Sequence, residues 1–237
     1  MFKQLLAMAC ATLFCASLGA TELKPFNASY SANWKVLPFS GKAERSLKRS
    51  GNNWQLEFHA SAVVASITET SNFAYSGQQI TPLGYSLKRS GLGKSKHNQQ
   101  KYDHATEKLT WQQLKQTPQQ AAIVPQTLDQ FSAQFALQLD VARGLKEMSY
   151  LVQEGSQIEE YRFRVLGTET ITTAAGKLQA TRVERVRDGN KKRQTHLWFA
   201  NDWDFLLVQL LQVESDGKEY VINLKQGTVD GKKVRGL

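Results

Sequence analysis

From Phe26 to Val36 every second residue is apolar: Phe26, Ala28, Tyr30, Ala32, Trp34 and Val36 alternate with Asn27, Ser29, Ser31, Asn33 and Lys35. A period of two sends one set of side chains to each face of a β-strand, so this stretch predicts a strand with one buried and one wet face. Trp54, Leu56, Phe58, Ala60, Ala62 and Val64 repeat the pattern against Gln55, Glu57, His59 and Ser61. Further strands are predicted over about 41–49, 67–75, 80–89, 98–103, 107–112, 146–153, 158–167, 177–187, 192–200, 205–214 and 218–225. Turn signals such as Ser50-Gly51-Asn52-Asn53, Asp188-Gly189-Asn190 and Asp216-Gly217 separate them. Most connections are short, which favours antiparallel neighbours.

One segment has a different period. Leu128, Phe131, Phe135, Leu139 and Ala142 recur every three or four residues and fall on one face of a helix at about 127–143. Thr127 and Gln130 suit a capping box, and Gly144 suits the helix end. The preceding Gln-rich stretch from Gln112 to Gln126, with Pro118 and Pro125, reads as a long linker between two groups of strands. The fold class expected is therefore mainly β: a single strongly curved antiparallel sheet, or a partly closed β-barrel, with one inserted α-helix. A long meander has to curl or close because its apolar face and its edges cannot stay exposed.

Residues 1–20 carry the pattern of a cleavable secretory signal: Lys3, an apolar run from Leu5 to Leu18, and the small residues Ser17, Gly19 and Ala20. Cleavage after Ala20 puts Leu18 at the −3 position and cleavage after Gly19 puts Ser17 there, and both stay open. The apolar run is about 14 residues, short of the ~20 that span a bilayer. Both cysteines, Cys10 and Cys15, lie inside this segment, so the remainder has neither a thiol nor a disulfide. Neither suits lipidation, since Cys15 follows Phe14 and Cys10 has Ala7 three positions before it. Residues 21–237 are expected to form a single mainly-β domain in the periplasm.

Composition adds little to the fold and something to the choice of partner. The 237 residues are 41% hydrophobic and 22% charged, which is ordinary globular usage. With 30 Lys and Arg against 21 Asp and Glu the net charge is +9, a bias toward anionic partners such as a membrane surface. Export and the clean alternation of the aromatic rows argue against nucleic acid as that partner. Ser46-Leu47-Lys48-Arg49-Ser50-Gly51 recurs letter for letter at Ser86 to Gly91. Lys42, Arg45, Lys48, Arg49, Lys88, Arg89, Lys94 and Lys96 are accordingly expected either as ordinary basic strand ends or as one cationic rim for an anionic head group.

Catalytic signals are sparse. There is no G-x-S-x-G elbow, no S-x-x-K set and no phosphate-binding Gly-rich loop. His97 and His104 are seven apart, a spacing of no familiar metal site, so neither metal nor cofactor is expected. Adjacent Glu159 and Glu160 face opposite sides of a strand, and Asp202 and Asp204 flank Trp203 in a turn.

Taken in order, Leu128-Asp129-Gln130-Phe131-Ser132, Tyr161 to Glu169, Thr173-Ala174-Ala175-Gly176 and Trp198-Phe199-Ala200-Asn201-Asp202 resemble the bacterial exported family labelled domain of unknown function 3108. Phe26-Asn27-Ala28-Ser29-Tyr30 fits as well, and Leu207 departs from the family pattern, which has proline after an aromatic-Leu pair. The resemblance implies export in Gram-negative bacteria and a curved, largely antiparallel β fold, with no catalytic residues to carry over. The function expected is non-enzymatic binding of a lipid or other amphipathic ligand. Its chain would lie among Tyr30, Trp34, Trp54, Phe58, Phe131, Phe135 and Trp198, and its head on the basic rim. The alternative is an envelope assembly or scaffold module with a solid core that binds a protein partner. A third class, a hydrolase with acid–base groups drawn from distant strands, leaves no local signature.

Overall fold

Alternation becomes strand almost wherever it occurs. The computed structural model describes residues 22–34, 40–63, 65–91, 94–188 and 193–237. The expected signal segment at 1–20 lies outside the described residues. The first half contributes β1 (Phe26–Trp34), β2 (Ser40–Ser50), β3 (Asn53–Ala62), β4 (Ala65–Ser76), β5 (Gln79–Gly91), β6 (Lys94–Asp103), β7 (Lys108–Gln113) and β8 (Gln119–Ala122). Next come β9 (Leu128–Asp129) and the helix α1 (Gln130–Ala142). The second half contributes β10 (Glu147–Glu154), β11 (Gln157–Thr173), β12 (Gly176–Val186), β13 (Gln194–Ala200), β14 (Leu206–Val213), β15 (Glu219–Val229) and β16 (Lys232–Lys233).

All these strands join one curved, unclosed sheet in the order β8 to β1, then β15 down to β9, with β16 beside β15. The first and last long strands, β1 and β15, therefore pair at its centre, while β8 and β9, neighbours in sequence, form its two edges. Only residues 123–127 connect those edges. Six Cα steps reach about 20 Å at most, so the sheet must curl until its edges nearly meet. The Gln-rich segment read as a linker supplies one of these edges, because four of its residues pair with β7. Its four residues, two Gln and two Ala, are all exposed, and so short a strand suits an edge that must not recruit a second chain.

The helix starts later than its sequence pattern predicts. Asp129, not Thr127, is the N-cap; its carboxylate accepts from the backbone N–H groups of Phe131 and Ser132, and the Ser132 side chain completes the capping box. At the other end Gly144 takes a φ of 86°, its N–H reaches Val141 O, and the Leu145 N–H reaches Asp140 O. That pair of bonds is a Schellman stop, which needs a residue free to enter the left-handed region.

Apolar contact surrounds α1 on two sides rather than one. Phe131 and Phe135 pack with the β1–β5 wall, the Phe135 ring lying 5.7 Å from Phe73 and 6.5 Å from Phe26. Ala133, Leu137 and Val141 pack with Val152, Phe163, Val183, Leu197 and Phe199 of the opposite wall. The helix thus lies inside the curl and separates two apolar clusters.

Candidate functional site

Strand register arranges the concave face of β1–β6 in rows. Trp54, Phe73 and Pro82 stand side by side, followed by the row Phe26, Leu47, Leu56, Ser71, Tyr85 and Gln100. These two rows are buried, and here the gap between the sheet edges is stitched by side chains. Ser71 Oγ donates to Asp129 Oδ2 at 2.7 Å, and Gln100 Nε2 donates to Gln153 O at 3.0 Å. The next row is Ala28, Arg45, Phe58, Glu69 and Leu87, and the next Tyr30, Ala43, Ala60, Ile67, Arg89 and Lys96. Beyond it lie small residues on β1 to β5, Ala32 beside Gly41 and Ala62 beside Ala65 and Gly91. Side-chain volume falls along the strands, and the interior opens where it runs out.

Two connected chambers occupy this end. The central chamber, of about 410 Å³, lies between α1 and strands β1–β4, β14 and β15, with Phe58, Ala60, Phe131, Leu207, Tyr220 and Ile222 on its wall. The seam chamber, of about 1140 Å³, spans the gap from β4–β6 to β10–β13. Ile67, Glu69, Arg89, Gln134, Arg193 and Leu210 line both, so the two form one hollow.

The wall is mixed in charge. Arg185 stacks over the Tyr161 ring at 3.4 Å, Arg187 donates to Thr195 Oγ1 at 3.0 Å, Arg193 pairs with Glu214 at 3.3 Å, and Arg162 pairs with Asp188. Burial, with Arg185 and Arg193 nearby, pushes Arg187 down to about 10. Deeper, the Tyr85 hydroxyl donates to Glu69 Oε1 at 2.8 Å. Burial is the largest influence on Glu69 and lifts its carboxyl to about 7; Asp129 adds to the rise, while the Tyr85 bond, Arg89 and Arg45 oppose it.

Arg45 is 3% exposed and faces inward between Ala43 and Leu47. Its guanidinium lies 5.2 Å from the Phe26 ring centre and 5.7 Å from that of Phe131, and Nη1 donates to Gln138 Oε1 at 3.2 Å. Its buried Nε has no partner among the described residues. Burial lowers its pKa, although an arginine stays charged at any ordinary pH.

The seven aromatic candidates divide. Phe58 and Phe131 line the central chamber. Tyr30, Trp54 and Phe135 are core residues; the Tyr30 hydroxyl donates to Leu207 O at 2.8 Å, and burial pushes its pKa to about 12. Trp198 pairs with Arg182 on the face of β13 opposite Leu197, its ring under that guanidinium at 5.1 Å and its Nε1 donating to Glu169. The Trp34 side chain lies outside the described residues.

The eight cations form no single rim. β2 and β5 run in opposite directions, so the two identical hexapeptides end at opposite ends of the sheet. Lys48 and Arg49 lie at the filled end, Lys88, Arg89 and Lys96 at the open end, and Lys42 and Lys88 on the outer face. Arg49 covers the Trp54 ring at 5.4 Å, and Arg45 is interior. The Lys94 side chain lies outside the described residues. Sequence reasoning missed Glu69, Gln134, Arg185, Arg187 and Arg193 as wall residues, although strand alternation with Tyr161, Phe163 and Ile67 marks most of them as inward-facing.

A family model described as protein of unknown function DUF3108 matches residues 29–225. No curated protein matches the chain. Among solved structures, the β-barrel-like protein of domain of unknown function DUF1849 from Brucella abortus is similar at a TM-score of 0.60 and 11% identity. That match covers 87% of this chain and 98% of the other, and it shows a shared fold alone. A candidate lipoprotein from Parabacteroides distasonis matches at a TM-score of 0.32 and 10% identity, over 86% and 95% of the two chains, too low to carry an argument. No helix among the described residues is long and apolar enough to cross a membrane.

Proposed function

The chain belongs to the DUF3108 family, and from that premise we propose that it is a non-enzymatic binding protein for a lipid or other amphipathic ligand, exported to the periplasm. The observation that carries the reading is the hollow. A ligand site needs roughly 300 Å³, and the two connected chambers measure about 410 and 1140 Å³. Their walls combine apolar side chains, Phe58, Ala60, Phe131 and Ile222, with charged ones, Arg45 and Arg89 among them, the mixture that an amphiphile matches. The secretory pattern of residues 1–20 supports export. A scaffold with a solid interior is the competing reading, and the volume of the hollow weighs against it.

Native mass spectrometry of protein purified without detergent, with solvent extraction of what copurifies, tests the proposal. The expected result is a stoichiometric amphiphile. Protein that is free of ligand, and stays free after incubation with envelope lipids, overturns it.

A further inference from the structure

The surface cations of the seam chamber are largely accounted for by carboxylates, an aromatic ring or a hydroxyl. Arg45 is not. A guanidinium offers five N–H donors, and here one side-chain acceptor, Gln138, meets them while the buried Nε goes without. No ion pair joins Arg45 to a carboxylate among the described residues, and its neighbours across the sheet are Ala28 and Phe58. Holding a charge in such a place is costly unless a partner completes it. Because Arg45 is also on the wall of the central chamber, the partner has space to reach it.

We propose that Arg45 is the anchor for the acidic head of the ligand, a carboxylate or phosphate monoester on a single acyl-type chain, which enters the hollow head first and lays its chain along the apolar wall of the central chamber at Phe58, Ala60, Phe131 and Ile222. This rests on the reading of the hollow as an amphiphile site and reverses the polarity expected from a cationic rim. The chemistry is specific. A planar fork between two aromatic rings is pre-set for two parallel N–H···O bonds, which select an oxyacid over an ester or an alcohol. Gln138 fixes the guanidinium from the helix side, its own amide nitrogen donating to Asp204 O at 3.1 Å. The nearby Glu69 does not compete as a full charge, since burial lifts its carboxyl to about 7 and leaves it about half protonated at neutral pH. An arginine kept without a full set of partners is a residue whose stability cost is balanced by binding.

The test uses the full-length protein stripped of copurifying lipid, with oleate, 1-oleoyl lysophosphatidate and uncharged monoolein as probes. Binding is measured by titration calorimetry and Tm of the ligand-free protein by calorimetric scan. Wild type is expected to prefer oleate or lysophosphatidate over monoolein by roughly 10-fold to 100-fold. Whichever acid is preferred distinguishes a carboxylate from a phosphate. Arg45→Met is expected to abolish that preference, leave monoolein binding in place and raise the Tm of the ligand-free protein. Arg45→Lys, which keeps a charge but loses the fork, is expected to keep only part of the preference, and it serves if the methionine variant does not fold.

A wild type that binds oleate, lysophosphatidate and monoolein equally, or an Arg45→Met protein that keeps the preference, overturns the anchor and leaves the amphiphile reading standing. A lowered Tm in both Arg45 variants with unchanged preference makes the residue structural and also overturns it. Failure of wild type to bind any of the three overturns both proposals together.

Discussion

The same strands build a solid interior at one end and an empty one at the other. At the filled end the inward row reads Phe26, Leu47, Leu56, Ser71 and Tyr85, and Phe135 of α1 packs into it. Two rows away the position on β3 is Ala60, and the hollow begins. Backbone geometry is common to both ends, so what differs is side-chain volume per row. The helix spaces the walls at a distance that large residues fill and small ones do not.

Truncation should break this contrast most visibly. Phe73→Ala, at the filled end and 0% exposed, is expected to cost about 3–5 kcal/mol in urea unfolding. Phe58→Ala, half-buried and open to the chamber, should cost clearly less. Equal losses would mean that the hollow is filled and held by Phe58. Enlargement tests the reverse. Ala43→Leu, at a site 1% exposed, should cost about 1–3 kcal/mol through overpacking, whereas Ala65→Leu, on the chamber wall, should cost under about 0.5 kcal/mol while reducing amphiphile binding.

A pH-dependent effect concerns the polar floor between the two ends. Glu69 titrates near 7 in the folded chain against an ordinary value of 4.5, so the folded state holds its proton more tightly than the unfolded state does. Its contribution to stability is therefore complete below about pH 4.5, falls as the pH rises toward 7 and does not change further above that. Tm measured from pH 4.5 to 8 should show that decline in wild type and a flatter profile in Glu69→Gln. A wild-type profile that rises across this range would contradict the assignment.

Much of this architecture is legible in the chain because a period of two is a strong local signal. Phe26–Trp34 and Asn53–Ala62 are both strands, and the helix period at Phe131 and Phe135 marks the only helix among the described residues. Pairing between distant segments is less legible. The hexapeptide shared by β2 and β5 looks like two adjacent cationic ends, yet an odd number of reversals separates the copies and sends them to opposite ends. Strand counting alone could have shown this. Arg45 sits in register with Ala43 and Leu47, so alternation assigns it inward, and only the habit of placing arginine in water hides it. The exposed edge strand β8 gives no apolar alternation at all, because an edge with both faces exposed has nothing to bury. Aromatic residues gave the least guidance, since a ring that packs a core and a ring that lines a cavity occupy the same strand positions.

The central ladder of the sheet also governs when the molecule is able to form. It pairs Phe26 with Val229, so the first strand has to wait for almost the last residues of the chain before its second neighbour exists. Each meander can assemble from local hairpins, but the join between them closes a loop of about 200 residues, the kind of non-local contact that makes folding slow. A chain emerging in order from a ribosome or a membrane pore therefore stays uncommitted until its C-terminal strand arrives.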